Sequence, residues 1–129
     1  MSDRKPKVLV ADDHEQARWA MAFLLQGECE VIGAVADGAE LVNAAMSLRP
    51  DVIVSDVSMP YLSGPQAMDQ LKGKGSNIPF VLVSTDCSHE REFIKQGASG
   101  VVAKIDMGRE LKATVLAAAG CIEQSLCCS

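Results

Sequence analysis

The chain lacks an excess of positive charge. Its 129 residues carry 12 Lys and Arg against 17 Asp and Glu, a net charge of −5. Direct nucleic-acid binding needs a basic footprint, and this balance excludes one. Hydrophobic residues make up 48% of the chain, yet no apolar run approaches the roughly 18 residues that would span a bilayer. The N-terminus, Met-Ser-Asp-Arg-Lys-Pro-Lys, has no signal-peptide core. Cysteines 29, 87, 121, 127 and 128 show no Cys-x-x-Cys spacing. An odd count without a secretory signal implies reduced thiols in a cytoplasm. A prenylation box would need cysteine at position 126, where Leu126 stands. The segment Gly33 to Gly38 has the two glycines of a phosphate-binding P-loop, but Ala39-Glu40 follows where Lys-Ser/Thr is required. Repeats, linkers and low-complexity stretches are also missing, so residues 1–129 read as one domain with a core from about 7 to 124.

What is present is an alternation of strand-like and helix-like segments. Short runs rich in Val and Ile, bounded by polar residues, predict buried parallel strands at 7–11, 29–35, 51–56, 79–84 and 100–103. Helical spacing of Ala17, Ala20, Met21 and Leu24 predicts a first helix that Gly27 stops. Further helices are predicted at 39–48, ended by Arg49-Pro50, and at 66–72 and 90–96. A last helix carries Leu111, Val115, Ala118 and Ile122 on one stripe. Five such units with short connections predict an α/β fold, a doubly wound five-stranded parallel sheet of order 2-1-3-4-5 with five helices.

Carboxylates gather at the strand ends. Asp12 and Asp13 follow the first strand and Asp56 ends the third. Ligands of open α/β sheets bind at this carboxyl edge, and three acids there repel one another unless a cation sits among them. Singly, each has an ordinary reading: Asp13 caps the first helix in a capping box with Gln16, and Asp56 is a turn residue. Ser84 ends the fourth strand and Lys104 follows the fifth. A hydroxyl and a cation delivered to the same edge weigh against coincidence. The all-oxygen carboxylate set suits a hard divalent ion, Mg²⁺ above others. The lysine and hydroxyl suit a phosphoryl group.

In these residues the chain closely resembles the receiver domain of two-component response regulators, a flavodoxin-like fold. Asp56 with Val57-Ser58-Met59-Pro60 and Gly64 resembles the phosphoacceptor strand and loop, and Gly97-Ala98-Ser99-Gly100 is a further shared signature. The resemblance implies that Asp56 accepts a phosphoryl group and that Asp13, Asp56 and the Ser58 carbonyl ligate Mg²⁺, with Asp12 acting mainly through water. It implies Ser84 as the switch hydroxyl and Lys104 as the phosphoryl contact. A histidine kinase or phosphotransfer protein is the implied donor, self-modification rather than turnover the implied chemistry, and the cytoplasm the implied location. The implied output runs through a downstream protein or an output domain beyond this chain, with a homodimer through the first and fifth helices or the fourth-strand side as one assembly. Asp13-His14 resembles the subfamily whose receivers precede helix-turn-helix domains.

Several positions depart from the family pattern. Val101 stands where an aromatic switch residue is frequent, Ile105 where proline usually follows the lysine, and Thr85 where Ala or Gly is common. Ser58 and Asp86 fill the two variable positions associated with dephosphorylation. A second class of function therefore stays open, a phosphorylation-independent pseudo-receiver acting as a protein-interaction module. His14 and His89 read as loop or helix-start residues, and Cys87 as a loop cysteine near the pocket. Trp19 and Phe23 lie four apart on the first helix, in packing or surface contact.

Overall fold

The pleat sorts the strand side chains of this chain into two cores, because successive residues on a strand face opposite sides. The computed structural model describes residues 5–120; Ile122 of the last helical stripe and Cys121, Cys127 and Cys128 lie outside the described residues. Val10 of β1 (Lys7–Ala11), Val54 of β3 (Val52–Asp56) and Val83 of β4 (Phe80–Ser84) face one side. They meet Met21 and Leu25 of α1 (Glu15–Leu25) and Leu111 and Val115 of α5 (Met107–Ala119). Leu9, Ile53 and Leu82 face the other side, against Leu41 of α2 (Gly38–Leu48) and Met68 and Leu71 of α3 (Gly64–Gly73). Each such side chain, fully removed from water, contributes about 2 kcal/mol.

Two further strands complete the sheet, β2 (Glu30–Val35) and β5 (Gly100–Ala103), in the order β2-β1-β3-β4-β5 with every pair parallel. This is the doubly wound flavodoxin-like sheet that the alternation predicts. Five helices flank it, the fourth being α4 (Glu90–Gln96), which follows a 3-10 turn at Cys87–His89. A second 3-10 turn, Lys104–Asp106, leads into α5. Among the described residues no helix is long and apolar enough to cross a membrane.

The element ends follow local chemistry. After α1, Gly27 takes a φ of +95°, which favours glycine. At the end of α2, Arg49 is left-handed at φ +51° and its N–H returns to the Ala45 carbonyl, directly before Pro50. α3 opens with a capping box, in which the Gln66 N–H donates to Ser63 Oγ and the Ser63 N–H to Gln66 Oε1. At α1 the ordinary reading of Asp13 as a cap does not hold. His14 holds the N-cap position and makes no side-chain cap bond, while Asp13 sits one residue too early. His89 likewise precedes α4. α4 matches its predicted bounds, yet none of its residues is buried, and Phe93 reaches the core only in part.

Candidate functional site

The parallel register sets the site. Ala11 pairs with Ser55, Asp56 with Val83 and Ser84 with Ala103, so the next residues of β1, β3, β4 and β5 emerge along one edge. Asp12 follows β1 with no solvent exposure, Asp56 ends β3 at 6% exposure, and Lys104 follows β5. Lys104 Nζ lies 3.1 Å from Asp12 Oδ2 and 3.5 Å from Asp56 Oδ2. One ammonium thus bridges two carboxylates from separate strands.

The backbone holds these groups in place. Arg18, on the first turn of α1, donates from its guanidinium to the Asp12 carbonyl at 2.8 Å. The His14 N–H donates to Asp12 Oδ1 at 2.9 Å, and His14 Nδ1 lies 3.1 Å from Asp13 Oδ1. Sequence reasoning missed Arg18 as a site residue; its signal was a cation one turn into α1, which reads equally as surface charge. It placed His14 at the helix start, where it is, but not against both acids. Behind Asp56 the loop folds back so tightly that a Cβ on Gly64 would sit 2.4 Å from the Asp56 carbonyl oxygen. Glycine at that offset is a steric requirement.

The electrostatics reflect crowding of like charge. Burial raises the Asp56 carboxyl above the ordinary carboxylate range, and Asp12 adds to the rise, while Lys104 opposes it. Burial draws the Lys104 ammonium downward, but hydrogen bonding and attraction from Asp12 and Asp56 outweigh it and hold its pKa above normal.

Two features fit a hard divalent cation. Asp12 Oδ2 is buried without an aligned hydrogen bond, its contact with Lys104 being an ion pair. Asp12, Asp13 and His14 also present ligand atoms within 4.8 Å of one another. The oxygen-rich donor set, with one lysine against three carboxylates, leaves negative charge that a cation offsets.

The structure brings Asp12, Asp56 and Lys104 together and sets Asp13 beside them through His14. Ser58 is exposed in the loop after β3. Ser84 reaches the same edge, but its hydroxyl bonds Asp86: it donates to the Asp86 carbonyl at 2.7 Å and accepts from the Asp86 N–H at 3.1 Å. Thr85 is exposed, and Val101 is partly buried against the core on the α2–α3 side. Trp19 and Phe23 lie on the outer face of α1, 73% and 62% exposed, so surface contact and not packing describes them.

Comparison with known proteins agrees with this geometry. The family model described as the response regulator receiver domain matches residues 8–116. The nitrate/nitrite response regulator protein NarL of Escherichia coli is 34% identical over 128 residues, covering 93% of this chain and 58% of that protein. The transcriptional regulatory protein LiaR of Bacillus subtilis is 32% identical over 116 residues, 87% of this chain and 55% of its own length. The chain thus spans somewhat more than half of these relatives. The signal receiver domain of the putative response regulator NarL from Mycobacterium tuberculosis superposes with a TM-score of 0.84 at 28% identity, covering 90% of this chain and 97% of that one. The chain belongs to the response regulator receiver domain family of two-component systems.

Proposed function

We propose that this chain is a phosphorylation-dependent receiver in which Asp56 accepts the phosphoryl group. The observation that carries the reading is the convergence of Lys104 on Asp12 and Asp56 at the carboxyl edge of the sheet. An Asp56 carboxylate oxygen attacks the phosphorus of a phosphohistidine on a histidine kinase or phosphotransfer protein, or of a small acyl phosphate. The O–P bond to Asp56 forms as the donor's N–P or O–P bond breaks, and the leaving group departs with that bonding pair. Lys104 favours the ionised, nucleophilic form of Asp56 against the opposing effect of burial. Its ammonium then neutralises charge on the arriving oxygens.

Asp13, Asp56 and the Ser58 carbonyl would hold Mg²⁺, with Asp12 acting through water; when bound, the ion supplies positive charge to the phosphoryl oxygens. Ser84 turns its hydroxyl toward the new acyl phosphate, which shifts an inactive–active equilibrium. The chain modifies itself and turns over no external substrate. A cytoplasmic location goes with a kinase or phosphotransfer donor, and the output lies with a downstream protein or a domain beyond this chain.

Intact-protein mass spectrometry after incubation with acetyl phosphate, with and without Mg²⁺, tests the reading beside Asp56→Asn. The expected result is one Mg²⁺-dependent phosphoryl adduct that the variant lacks. No adduct, together with no beryllofluoride binding, would favour the pseudo-receiver, an interaction module of the same fold.

A further inference from the structure

Arg18 holds the turn between β1 and α1 at two points. Its backbone N–H donates to the His14 carbonyl at 3.0 Å, and its guanidinium Nη1 donates to the Asp12 carbonyl at 2.8 Å. Asp13 lies between those two carbonyls, so the chain on either side of it is fastened to one residue. The Asp12 carbonyl needs the bond it receives. Asp12 has no solvent exposure, and its N–H continues the sheet by donating to the Val35 carbonyl at 3.1 Å. The backbone bonding of α1 begins at the His14 carbonyl, two residues too late to serve Asp12. A buried carbonyl left without a donor is costly, and the side chain of Arg18 meets that need. The two acids depend on the turn to different degrees. Asp12 is buried and paired with Lys104, which fixes its carboxylate by packing and charge. Asp13 is exposed, and so is His14, whose Nδ1 lies 3.1 Å away. An exposed carboxylate takes its direction from its backbone.

We infer that Arg18 is a positioning residue for the divalent-ion site: by clasping the Asp12 and His14 carbonyls it aims the Asp13 carboxylate and sets the affinity for Mg²⁺. The inference rests on the proposed reading of Asp13 and Asp56 as Mg²⁺ ligands. A group that orients a ligand from behind changes metal affinity without touching the metal. Arg18 acts on that affinity in two opposite directions. Its positive charge repels a divalent cation, so removing the charge alone would tighten binding. Removing the clasp frees the Asp12–Asp13 turn, and the need to order it again weakens binding. Arg18 is partly exposed, where water and salt screen its charge, so the clasp outweighs the repulsion. Arginine suits the task because its planar fork is pre-organised and loses little freedom in holding a carbonyl.

Mg²⁺ titrations of the full chain, followed by NMR at the Asp12, Asp13 and His14 amides, test the clasp beside urea denaturation of the same proteins. Arg18→Met keeps the stem of the side chain and removes the fork and its charge. It should bind Mg²⁺ about fivefold more weakly than the wild type, the equivalent of losing roughly one net hydrogen bond. Arg18→Lys restores a donor on a long stem and should come within about twofold of the wild type. Arg18→Met binding as tightly as the wild type, with a lower urea midpoint, would make Arg18 a merely structural residue and overturns the clasp. Tighter binding by Arg18→Met, the sign of charge repulsion, overturns it too. So does Arg18→Lys binding no better than Arg18→Met, because the lost donor would then not be the cause. In each of these cases the wild type takes up Mg²⁺ and the metal-site reading stands. No uptake by the wild type overturns that reading and the clasp with it.

Discussion

Lys104 Nζ sits 3.1 Å from Asp12 Oδ2, and that carboxylate has no exposure to solvent. The lysine is therefore the nearest compensating charge for a buried acid. Removing one partner of such a pair leaves the other desolvated and unpaired. Lys104→Met should cost about 2 kcal/mol of stability without divalent metal, less than for a fully buried pair because the lysine is partly exposed. Saturating Mg²⁺ should restore part of the loss. Urea denaturation with EDTA and with Mg²⁺ measures both, and a variant as stable as the wild type would contradict the role given to Lys104.

Asp56→Asn should act in the opposite direction. It removes one of the carboxylates sharing Lys104, and should stabilise the metal-free protein at neutral pH. The Asp56 pKa is raised on folding by burial and then by Asp12. The folded state thus holds that proton more tightly than the unfolded chain, and the cost of its charge is present above the folded pKa and relieved as pH falls through it. The advantage of Asn should accordingly shrink as pH is lowered from 7 toward the carboxylate range, and Mg²⁺ should remove it by stabilising the wild type. Melting curves across that range, with and without the ion, check the sign.

Cys29 gives an alkaline counterpart. It is 5% exposed, and burial, helped by Glu28 and opposed by Lys112, raises its thiol above 9.0. In the unfolded chain the thiol ionises first, so stability should fall as pH rises through about 9. Cys29→Ala should flatten that part of the stability–pH curve while lowering stability at pH 7 through lost packing. At neutral pH the native protein should protect Cys29 from iodoacetamide, because a buried neutral thiol is a poor nucleophile.

The loop behind Asp56 makes a steric prediction. A Cβ at Gly64 would meet the Asp56 carbonyl oxygen at 2.4 Å and Ser55 Oγ at 2.8 Å, whereas one at Gly73 meets nothing within 4 Å. Gly64→Ala should cost about 2 kcal/mol and weaken Mg²⁺ binding by displacing the Asp56 backbone. Gly73→Ala, at the far end of the same helix, should be neutral or slightly stabilising. Equal effects at the two positions would show that the approach at Gly64 is relieved by an easy shift of the loop.

The fold was legible because its pattern is regular. Val-rich runs ending in Asp56 and Ser84 recur with short connections, and the five strands and first four helices appear within two residues of their expected places. α4 and β5 fall on their expected bounds because Gly97, in a left-handed C-cap, and Gly100 punctuate the chain there. Asp13 and Gln16 have the spacing of a capping box, so spacing alone leaves a cap open as the ordinary reading of Asp13; the structure puts His14 at the N-cap and Asp13 beside it at the edge of the site. Arg18 escaped notice because its role is to bind a backbone carbonyl, which leaves no trace in residue spacing.

The sequence by itself determined which acids, hydroxyl and lysine reach one edge of the sheet, because strand parity and parallel register are set by local pattern. Only the tertiary structure decided how those groups share their charges and protons: Lys104 between Asp12 and Asp56, and the Ser84 hydroxyl with Asp86. Periodicity sets the direction in which a side chain leaves the backbone. Its partner is chosen by the distances between segments far apart in the chain, and those distances exist only once both cores are packed.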